Sequence, residues 1–202
     1  TTSVRRVISA IVLAAGLARR FGSEKPLALH DGKALVRHVV DIVSLPEVVD
    51  VIVVIPPSGG SYEQALAGSR ARTVVNEQPA LGMSSSLRVG VRAIEHASQA
   101  VLIALADQPT IDRAVVESIV REWRTTHARI VAPTYRGERG HPVLFDRAVF
   151  GELLSIEGDR GARELIERDA SRVRLVAVDA GMPPDVDTAA DLSKLTLPPG
   201  DA

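Results

Sequence analysis

The sequence predicts a three-layer α/β/α fold built on a mostly parallel, twisted β-sheet. Three continuous apolar runs, at residues 7–13, 48–55 and 101–106, have the length and the β-branched character of buried strands. Segments with helical spacing of apolar residues lie between these runs, so strands and helices alternate along the chain. Such alternation implies crossovers between parallel strands, and sheets of this kind bind ligands beyond the carboxyl ends of their strands.

The first half of the chain alternates the two kinds of element. It is expected to contain strands at 7–13, 48–55, 73–75 and 101–106 and helices at 36–43, 62–67 and 84–97. The first of these helices stops before Pro46 and the second strand is closed by Pro56–Pro57, because proline cannot continue either element.

The second half opens regularly and then changes character. A helix at 111–124, with Thr110 as the expected cap, precedes a strand at 129–132. Glycines and Pro142 interrupt 134–145, which predicts a hairpin or mixed-sheet excursion. Helices at 147–154, 161–168 and 188–195, a strand at 173–178 and a frayed tail from Pro198 are expected after it.

The composition indicates one domain over residues 1–202. The chain has 46% hydrophobic residues, 24 basic and 25 acidic side chains, and a net charge of −1, which gives no support for a nucleic-acid surface. No apolar run is long enough to span a bilayer, so no membrane contact is expected. The chain has no cysteine, which excludes a thiolate nucleophile, a disulfide framework and a Cys-ligated metal.

The N-terminal stretch has two readings. Arg5–Arg6 followed by a short apolar run and small residues is superficially similar to a secretory signal. The later motifs instead require the same run as the first strand of the fold. With no cysteine in the chain, a cytoplasmic location is the expectation.

The loop after the first strand suits a polyphosphate. Ala14-Ala15-Gly16 is small enough for the backbone to approach a ligand closely, and Arg20 and Lys25 add positive charge. The loop is neither Gly-x-x-x-x-Gly-Lys-Ser/Thr nor Gly-x-Gly-x-x-Gly, so it is not one of the familiar phosphate motifs.

Acidic residues follow at two later positions. Asp107 comes directly after the strand at 101–106, where a carboxylate faces the ligand edge and can hold Mg²⁺. Asp185 and Asp187 precede the last helix and can add a second ligand to the same ion. The alternative for each acid is a helix cap.

A glycine–serine segment opens the helix at 84–97. Gly82-Met83-Ser84 can form a backbone and hydroxyl rim that grips a base or ribose, or it can be a glycine turn with a serine cap. Asn76 and Gln78 lie on the approach to it and can read a base edge by hydrogen bonding.

Two further segments are candidates for a second ligand. His141, in Gly-His-Pro, can contact a substrate or can be a packed histidine. The run 158–163 can be a helix start capped by Asp159, or it can offer its arginines and helix N–H groups to an acceptor phosphate.

Together the motifs resemble the molybdenum cofactor nucleotidyltransferases, which share the GT-A-like (Rossmann-like) nucleotidyltransferase fold. The matching segments follow one order: Leu13-Ala-Ala-Gly16 with Arg20, Gly22 and Lys25; Gly82-Met-Ser-Ser-Ser86; Ala106-Asp-Gln-Pro109; Gly140-His-Pro142; Gly158-Asp-Arg-Gly-Ala-Arg163; and Asp185-Val-Asp-Thr188. Leu-Ala-Ala-Gly and Asp-Gln-Pro resemble the cytidylyltransferase branch, whereas the guanylyltransferase branch tends to show Leu-Ala-Gly-Gly and Asp-Met-Pro.

The resemblance implies a role for each motif. Residues 1–110 would form the nucleotide-binding half, 111–197 the acceptor-binding half and 198–202 a tail. Asp107 and Asp187 would hold Mg²⁺, and Asp107, Arg20 and Lys25 would be the catalytic residues. The nucleotide would contact Leu13, Ala14, Ala15, Gly16, Arg20, Lys25, Asn76, Gln78, Gly82, Met83, Ser84 and Asp107, and the acceptor would contact His141, Asp159, Arg160, Gly161 and Arg163.

The expected activity is transfer of CMP from CTP to the terminal phosphate of molybdopterin, with release of pyrophosphate. Alternatives are a guanylyltransferase that uses GTP, and a sugar- or alditol-phosphate nucleotidyltransferase. An alternative of another class is a nucleotide-binding regulator or cofactor chaperone without catalysis. A receiving molybdoenzyme or a chaperone is the protein partner that the resemblance suggests.

Overall fold

The structure is a computed structural model, and it describes residues 7–16 and 24–195. Its elements in chain order are β1 (Ile8–Leu13), β2 (Leu29–His30), β3 (Lys33–Ala34), α1 (Leu35–Val43), β4 (Val48–Ile55), α2 (Gly60–Ala65), β5 (Ala71–Val75), α3 (Met83–Ala93), β6 (Ala100–Leu105), α4 (Arg113–Thr126), β7 (Ile130–Tyr135), β8 (Glu138–Arg139), β9 (Val143–Asp146), α5 (Phe150–Ser155), α6 (Arg163–Arg168), β10 (Val173–Val178) and α7 (Ala189–Ser193). Short 3₁₀ helices cover Lys25–Leu27, Pro79–Leu81, Arg147–Val149 and Ala170–Arg172.

One large sheet runs through the described part of the chain, in the strand order β10-β7-β9-β6-β1-β4-β5 with β8 beside β7. β1 is parallel to both β4 and β6, and β5 and β10 are parallel to their neighbours. β9 is antiparallel to β6 and β7, and β8 is antiparallel to β7. The predicted parallel α/β sheet and the mixed excursion at 134–145 are therefore confirmed.

The core lies on both faces of this sheet, as three layers require. Ala10 and Val12 of β1 pack with α1 and α4 on one face, and Ile11 packs with α3, α5 and α6 on the other. Because neighbouring residues of a strand point to opposite faces, the continuous apolar run of β1 serves both layers. No helix in the described ranges is long and apolar enough to cross a bilayer.

Several predicted helix starts or ends are wrong, and three of them have a clear local reason. α4 begins at Arg113 and is capped by Asp112, whose carboxylate accepts from the Ala114 N–H, so Thr110 is not the cap. α3 ends at Ala93 because the backbone at Ile94 is extended. α6 begins only at Arg163, with Ala162 at the N-cap and no side-chain cap, so Asp159 does not cap it.

A hairpin at 29–34 was not anticipated. β2 and β3 are joined by Asp31 and Gly32, both with positive φ, which is the backbone that a two-residue hairpin turn requires. An Asp-Gly pair is a strong signal for this turn, so the sequence does contain it.

Candidate functional site

The carboxyl ends of β1 and β6 lie side by side at one edge of the sheet. Leu13 is in register with Leu105, and the Ala106 N–H donates to the Leu13 carbonyl at 3.1 Å. The loop after β1 and the segment after β6 therefore leave the sheet together. This places the small-residue loop and Asp107 at one edge, as the parallel topology predicts.

Backbone contacts fix the start of the phosphate-type loop. Ala14 and Ala15 are each 2% exposed, and the Ala14 N–H donates to the Val54 carbonyl at 2.9 Å. The Tyr62 hydroxyl donates to the Ala14 carbonyl at 3.2 Å, and burial raises the Tyr62 pKa, so the hydroxyl stays protonated. Gly16 is exposed, and Arg20 lies outside the described residues.

Lys25 joins the two predicted metal ligands. Its ammonium donates to Asp107 Oδ2 at 2.8 Å and to Asp187 Oδ1 at 2.9 Å, although these residues are distant in sequence. Burial of Lys25 acts to lower its pKa, but the two carboxylates outweigh this and leave the pKa raised. Three of the four charged groups predicted to carry the chemistry thus form one cluster, and the fourth, Arg20, lies outside the described residues.

The cluster has the donor chemistry of a divalent-cation site. Asp107 Oδ1 is buried and has no hydrogen-bond partner within the described ranges, so the carboxylate has an oxygen to spare. Asp107 and Asp187 both pair with the ammonium of Lys25, so the two carboxylates are close enough to share a cation. Carboxylate oxygens are the ligands that Mg²⁺ prefers. Among the described residues no group of three or more acidic, histidine or cysteine ligands occurs. Mg²⁺ commonly completes its shell with phosphate oxygens and water.

The two aspartates of the segment 185–188 have different partners. Asp187 binds Lys25, while Asp185 Oδ1 accepts a 2.7 Å hydrogen bond from Gln108 Nε2. Val186, between them, is fully buried, and its N–H donates to the Asp107 carbonyl at 2.9 Å. Thr188 forms a capping box with Asp191 at the start of α7. The cap alternative therefore applies to Thr188 and not to the two aspartates.

Asn76 stabilises the segment Gly82–Ser86, which we call the glycine–serine wall. It is 2% exposed, its Nδ2 donates to the hydroxyls of Ser85 and Ser86, and its Oδ1 accepts from the Gln78 N–H. These bonds use both amide hydrogens and one acceptor position of the oxygen, so Asn76 holds the wall in place. The Gln78 side chain is exposed beside it.

At Gly82 the glycine–serine wall contacts the loop at 158–162, which contains predicted acceptor residues. Its φ is +90°, and a Cβ there would overlap the Asp159 carboxylate and lie 2.9 Å from the Gly158 backbone. Gly82 is the N-cap of α3 without a side-chain cap, so the predicted serine cap is wrong, and Ser84 lies inside the helix with its N–H on the Gly158 carbonyl. Only glycine allows this close approach.

A cavity of about 1090 Å³ opens beside this junction. Four of the five predicted acceptor residues line it, together with Leu13 and Met83 from the nucleotide side and with residues from β6, β8 and β9. Gly161 is adjacent, with φ +54° and Met83 packed on it. The structure thus brings the acceptor motifs to one place, next to the carboxylate–lysine cluster.

The cavity rim carries arginines, and the acids Glu138, Asp159 and Asp185 line the cavity as well. Arg160 and Arg163 bind Glu167 at 2.5 and 2.8 Å, and hydrogen bonding from Arg163 holds the pKa of Glu167 below its usual value. Arg139, from the hairpin, also lines the cavity and was not anticipated. Its signal in the sequence is a basic residue next to glycine in Gly137-Glu-Arg-Gly140.

His141 lines the same cavity. Its carbonyl accepts from the Tyr135 hydroxyl at 3.0 Å, and burial raises the pKa of Tyr135 to about 12, which keeps that hydroxyl a donor. Burial lowers the pKa of the His141 imidazole, although a backbone hydrogen bond to Ile103 opposes the change. The ring is therefore neutral near pH 7.

Solved structures that are similar to this chain match it over nearly its whole length. Rv0371c from Mycobacterium tuberculosis H37Rv is 28% identical with a TM-score of 0.83, covering 95% of this chain and 98% of that one, and a structure of Rv0371c in complex with manganese has a TM-score of 0.77 at 27% identity, covering 93% and 96%. A nucleotidyl transferase from Methanothermobacter is 25% identical with a TM-score of 0.75, covering 93% of this chain and 95% of that one.

A curated relative is more distant. The bifunctional protein GlmU of Staphylococcus saprophyticus is 27% identical over 159 residues, which are 77% of this chain and 35% of that protein. The chain thus spans about a third of the length of this relative. The family model of the MobA-like NTP transferase domain matches residues 10–173. The GT-A-like, Rossmann-type fold is confirmed, and the chain belongs to the family of MobA-like NTP transferases.

Proposed function

We propose that the chain transfers CMP from CTP to the terminal phosphate of molybdopterin and releases pyrophosphate. The observation that carries this proposal is that the Lys25 ammonium pairs with both Asp107 and Asp187 at the sheet edge. A cavity with arginines on its rim lies beside this cluster. The MobA-like family supports nucleotidyl transfer, and the Leu-Ala-Ala-Gly and Asp-Gln-Pro motifs favour CTP over GTP.

The residues act mainly by alignment and charge. An oxygen of the acceptor phosphate attacks the α-phosphorus in line, the bond between the α-phosphorus and its bridging oxygen breaks, and pyrophosphate leaves. A phosphate monoester is largely ionised near neutral pH, so no general base is required. Asp107 and Asp187 would hold Mg²⁺, which neutralises phosphate charge when bound. Lys25 and Arg20 would stabilise charge on the triphosphate, and the rim arginines would hold the acceptor phosphate.

The first test is thermal stability with CTP, GTP, ATP and UTP, each with and without Mg²⁺. A ligand at 100 times its Kd adds about 2.7 kcal/mol, which for a chain of this size raises Tm by about 5–10 °C. We expect the largest magnesium-dependent shift with CTP. A larger shift with GTP would place the chain in the guanylyl branch, and no shift with any nucleotide would contradict the proposal.

Substitution of Asp107 tests the metal role directly. We expect Asp107→Asn to lower kcat for pyrophosphate release by about 10²–10³-fold, because the variant loses a carboxylate ligand at the reacting phosphates. Asp31→Asn is the matched control, since Asp31 is an exposed turn residue and asparagine tolerates its positive φ. Near-normal turnover of Asp107→Asn would contradict the assignment. CTP binding without pyrophosphate release by the unmodified chain would favour a regulator or chaperone.

A further inference from the structure

Two buried polar atoms without partners lie on residues that line the same cavity. Gln108 is 6% exposed, and its Oε1 has no hydrogen-bond partner within the described ranges; the same is true of His141 Nδ1. Both residues line the cavity of about 1090 Å³. A buried polar atom without a partner is costly, and such atoms are uncommon in folded proteins. Neither atom is used by the mechanism above.

Their neighbours determine that both atoms are hydrogen-bond acceptors. Gln108 Nε2 donates to Asp185 Oδ1 at 2.7 Å, and because a carboxylate accepts hydrogen bonds, the amide oxygen is the atom left over. The backbone of Ile103 faces the His141 ring and acts to raise its pKa, and because Nδ1 has no partner within the described ranges, Nε2 is the ring atom that faces this backbone. That interaction favours the protonated ring, so Nε2 is its donor and Nδ1 of the neutral ring is an acceptor.

The rest of the cavity restricts what can satisfy them. Its walls include apolar side chains from β6, β9, α3 and α6, among them Leu87, Ile103, Leu105, Val143, Phe145 and Ile166. A sugar ring would bury several hydroxyls against these walls, whereas a planar heterocycle would bury its faces there and present N–H groups at one edge. Met182 is 37% exposed and also lines the cavity, packing on Gly140 beside His141.

We propose that Gln108 and His141 select the acceptor by receiving two hydrogen bonds from the amino and ring N–H groups of a pterin-type heterocycle. This inference rests on the proposed function and adds the residues that give it acceptor specificity. Binding replaces two unsatisfied acceptors with two hydrogen bonds, so a ring that lacks the amino donor leaves one acceptor unpaired and binds more weakly.

The test uses two probes that differ in the amino donor. Binding of 6-hydroxymethylpterin and of 6-hydroxymethyllumazine to the full chain is measured by their fluorescence, in the presence of CTP and Mg²⁺. The lumazine carries a carbonyl in place of the 2-amino group. We expect the unmodified chain to bind the pterin about tenfold or more tightly than the lumazine, from the loss of one hydrogen bond to a buried group.

Two substitutions of His141 serve as matched variants. His141→Gln keeps a donor near the Nε2 position but removes the acceptor at Nδ1, whereas His141→Asn places an amide oxygen near Nδ1. We expect His141→Gln, and separately Gln108→Met, to lower the pterin-to-lumazine preference to about twofold or less, and His141→Asn to retain most of it. Thermal shifts with CTP in each variant show that the nucleotide half is still folded and competent.

The outcomes separate the two proposals. A CTP shift with equal binding of pterin and lumazine, or with the preference unchanged in His141→Gln, would overturn the inference and leave the proposed function standing. No shift with any nucleotide would refute the proposed function itself. Displacement of the pterin by GMP at lower concentration than by unlabelled pterin would make the cavity a nucleobase site and would also overturn the inference.

Discussion

Lys25 stands where a divalent cation would be held, because its ammonium lies within 3 Å of oxygens of both Asp107 and Asp187. A metal ion that bridges the two carboxylates through these same oxygens cannot share their space with the ammonium, so bridging in this way requires Lys25 to move. The triphosphate offers the displaced ammonium new anionic partners. Metal and nucleotide are therefore expected to bind as a coupled pair.

Substitution of Lys25 tests this coupling. We expect Lys25→Met to tighten Mn²⁺ binding without nucleotide by about tenfold, because the competing charge is removed, and to weaken CTP binding. Mn²⁺ binding is measured by electron paramagnetic resonance. Lys33→Met is the control, since Lys33 also pairs with an aspartate, Asp41, at 2.9 Å. Unchanged Mn²⁺ affinity in Lys25→Met would show that Lys25 does not compete for the site.

His141 gives the fold a dependence on pH. Its pKa is lowered by burial, so as pH falls through about 6.5 the unfolded chain takes up a proton that the folded chain does not. Stability from this group is therefore present above that pH and is lost below it. We expect the free energy of unfolding to fall less between pH 7.5 and 5.0 in His141→Gln than in the unmodified chain. Denaturant titrations measure this, with exposed His96→Gln as the control; parallel pH profiles for the unmodified chain and His141→Gln would contradict it.

The sequence is informative about single residues where a motif fixes their place on an element. Asp107 could be assigned to the ligand edge because it directly follows a buried strand. The ion pairs of Lys25 with Asp107 and Asp187 could not be predicted, because the partners lie 82 and 162 positions away. Gln108 could not be assigned, because its role depends on Asp185, a partner 77 positions away. For Asn76 the sequence predicts contact with a base edge and does not show its hydrogen bonds to Ser85 and Ser86, because these serines belong to α3.

Among the elements, α3 packs unusually close to the sheet through Gly90. A Cβ at Gly90 would lie 2.8 Å from Ile11 Cγ2 and 3.1 Å from Val54 Cγ2, which is closer than packed carbon atoms tolerate. The glycine therefore serves contact between helix and sheet. It places the glycine–serine wall at the start of α3 near the end of β1.

Alanine substitutions at two helical glycines test this packing. We expect Gly90→Ala to destabilise the fold by about 1–3 kcal/mol through overpacking. Gly151→Ala in α5 has nothing within 4 Å of its Cβ and should stabilise the fold by about 0.5–1 kcal/mol through helix propensity. Thermal unfolding of both variants gives the comparison, and a Gly90→Ala variant as stable as Gly151→Ala would contradict the close packing.

Strands were easier to anticipate than helix ends. β4 and β10 have the predicted bounds. β4 is a largely buried apolar run closed by proline, whereas β10 is a half-exposed edge strand whose valines and leucine have high β propensity. Helix ends depend on capping geometry that competing residues can supply, as Asp112 does in place of Thr110. The strands of the β2–β3 hairpin have two residues each, which is too short for a detectable periodicity. The Asp-Gly pair of its turn is the detectable signal.

At the scale of the whole molecule, one sheet joins the two predicted halves. β9, from the second half, is hydrogen-bonded to β6 of the first half and to β7 of its own. The hydrogen bonds of the sheet therefore cross the predicted boundary near residue 110. That boundary separates the residues expected to bind the nucleotide from those expected to bind the acceptor. The division into halves stays a prediction about function.

This continuity predicts a single unfolding transition. Trp123 on α4 is 1% exposed and donates to Asp146 Oδ2 at 3.1 Å, so its fluorescence reports on the second half. Far-UV circular dichroism reports on the whole chain. We expect the two probes to give coincident curves in denaturant. An earlier fluorescence transition would show that the second half unfolds separately.

The hairpin between β7 and β9 bears on how such enzymes diversify. Residues 136–139 are exposed, yet Gly137, Glu138 and Arg139 form part of the cavity wall. A tip that shapes the cavity without entering the core can change its length or charge at little cost to the sheet. Enzymes descended from one ancestor could therefore change their acceptor through a few substitutions at this hairpin tip, while the residues that bind phosphate stay the same.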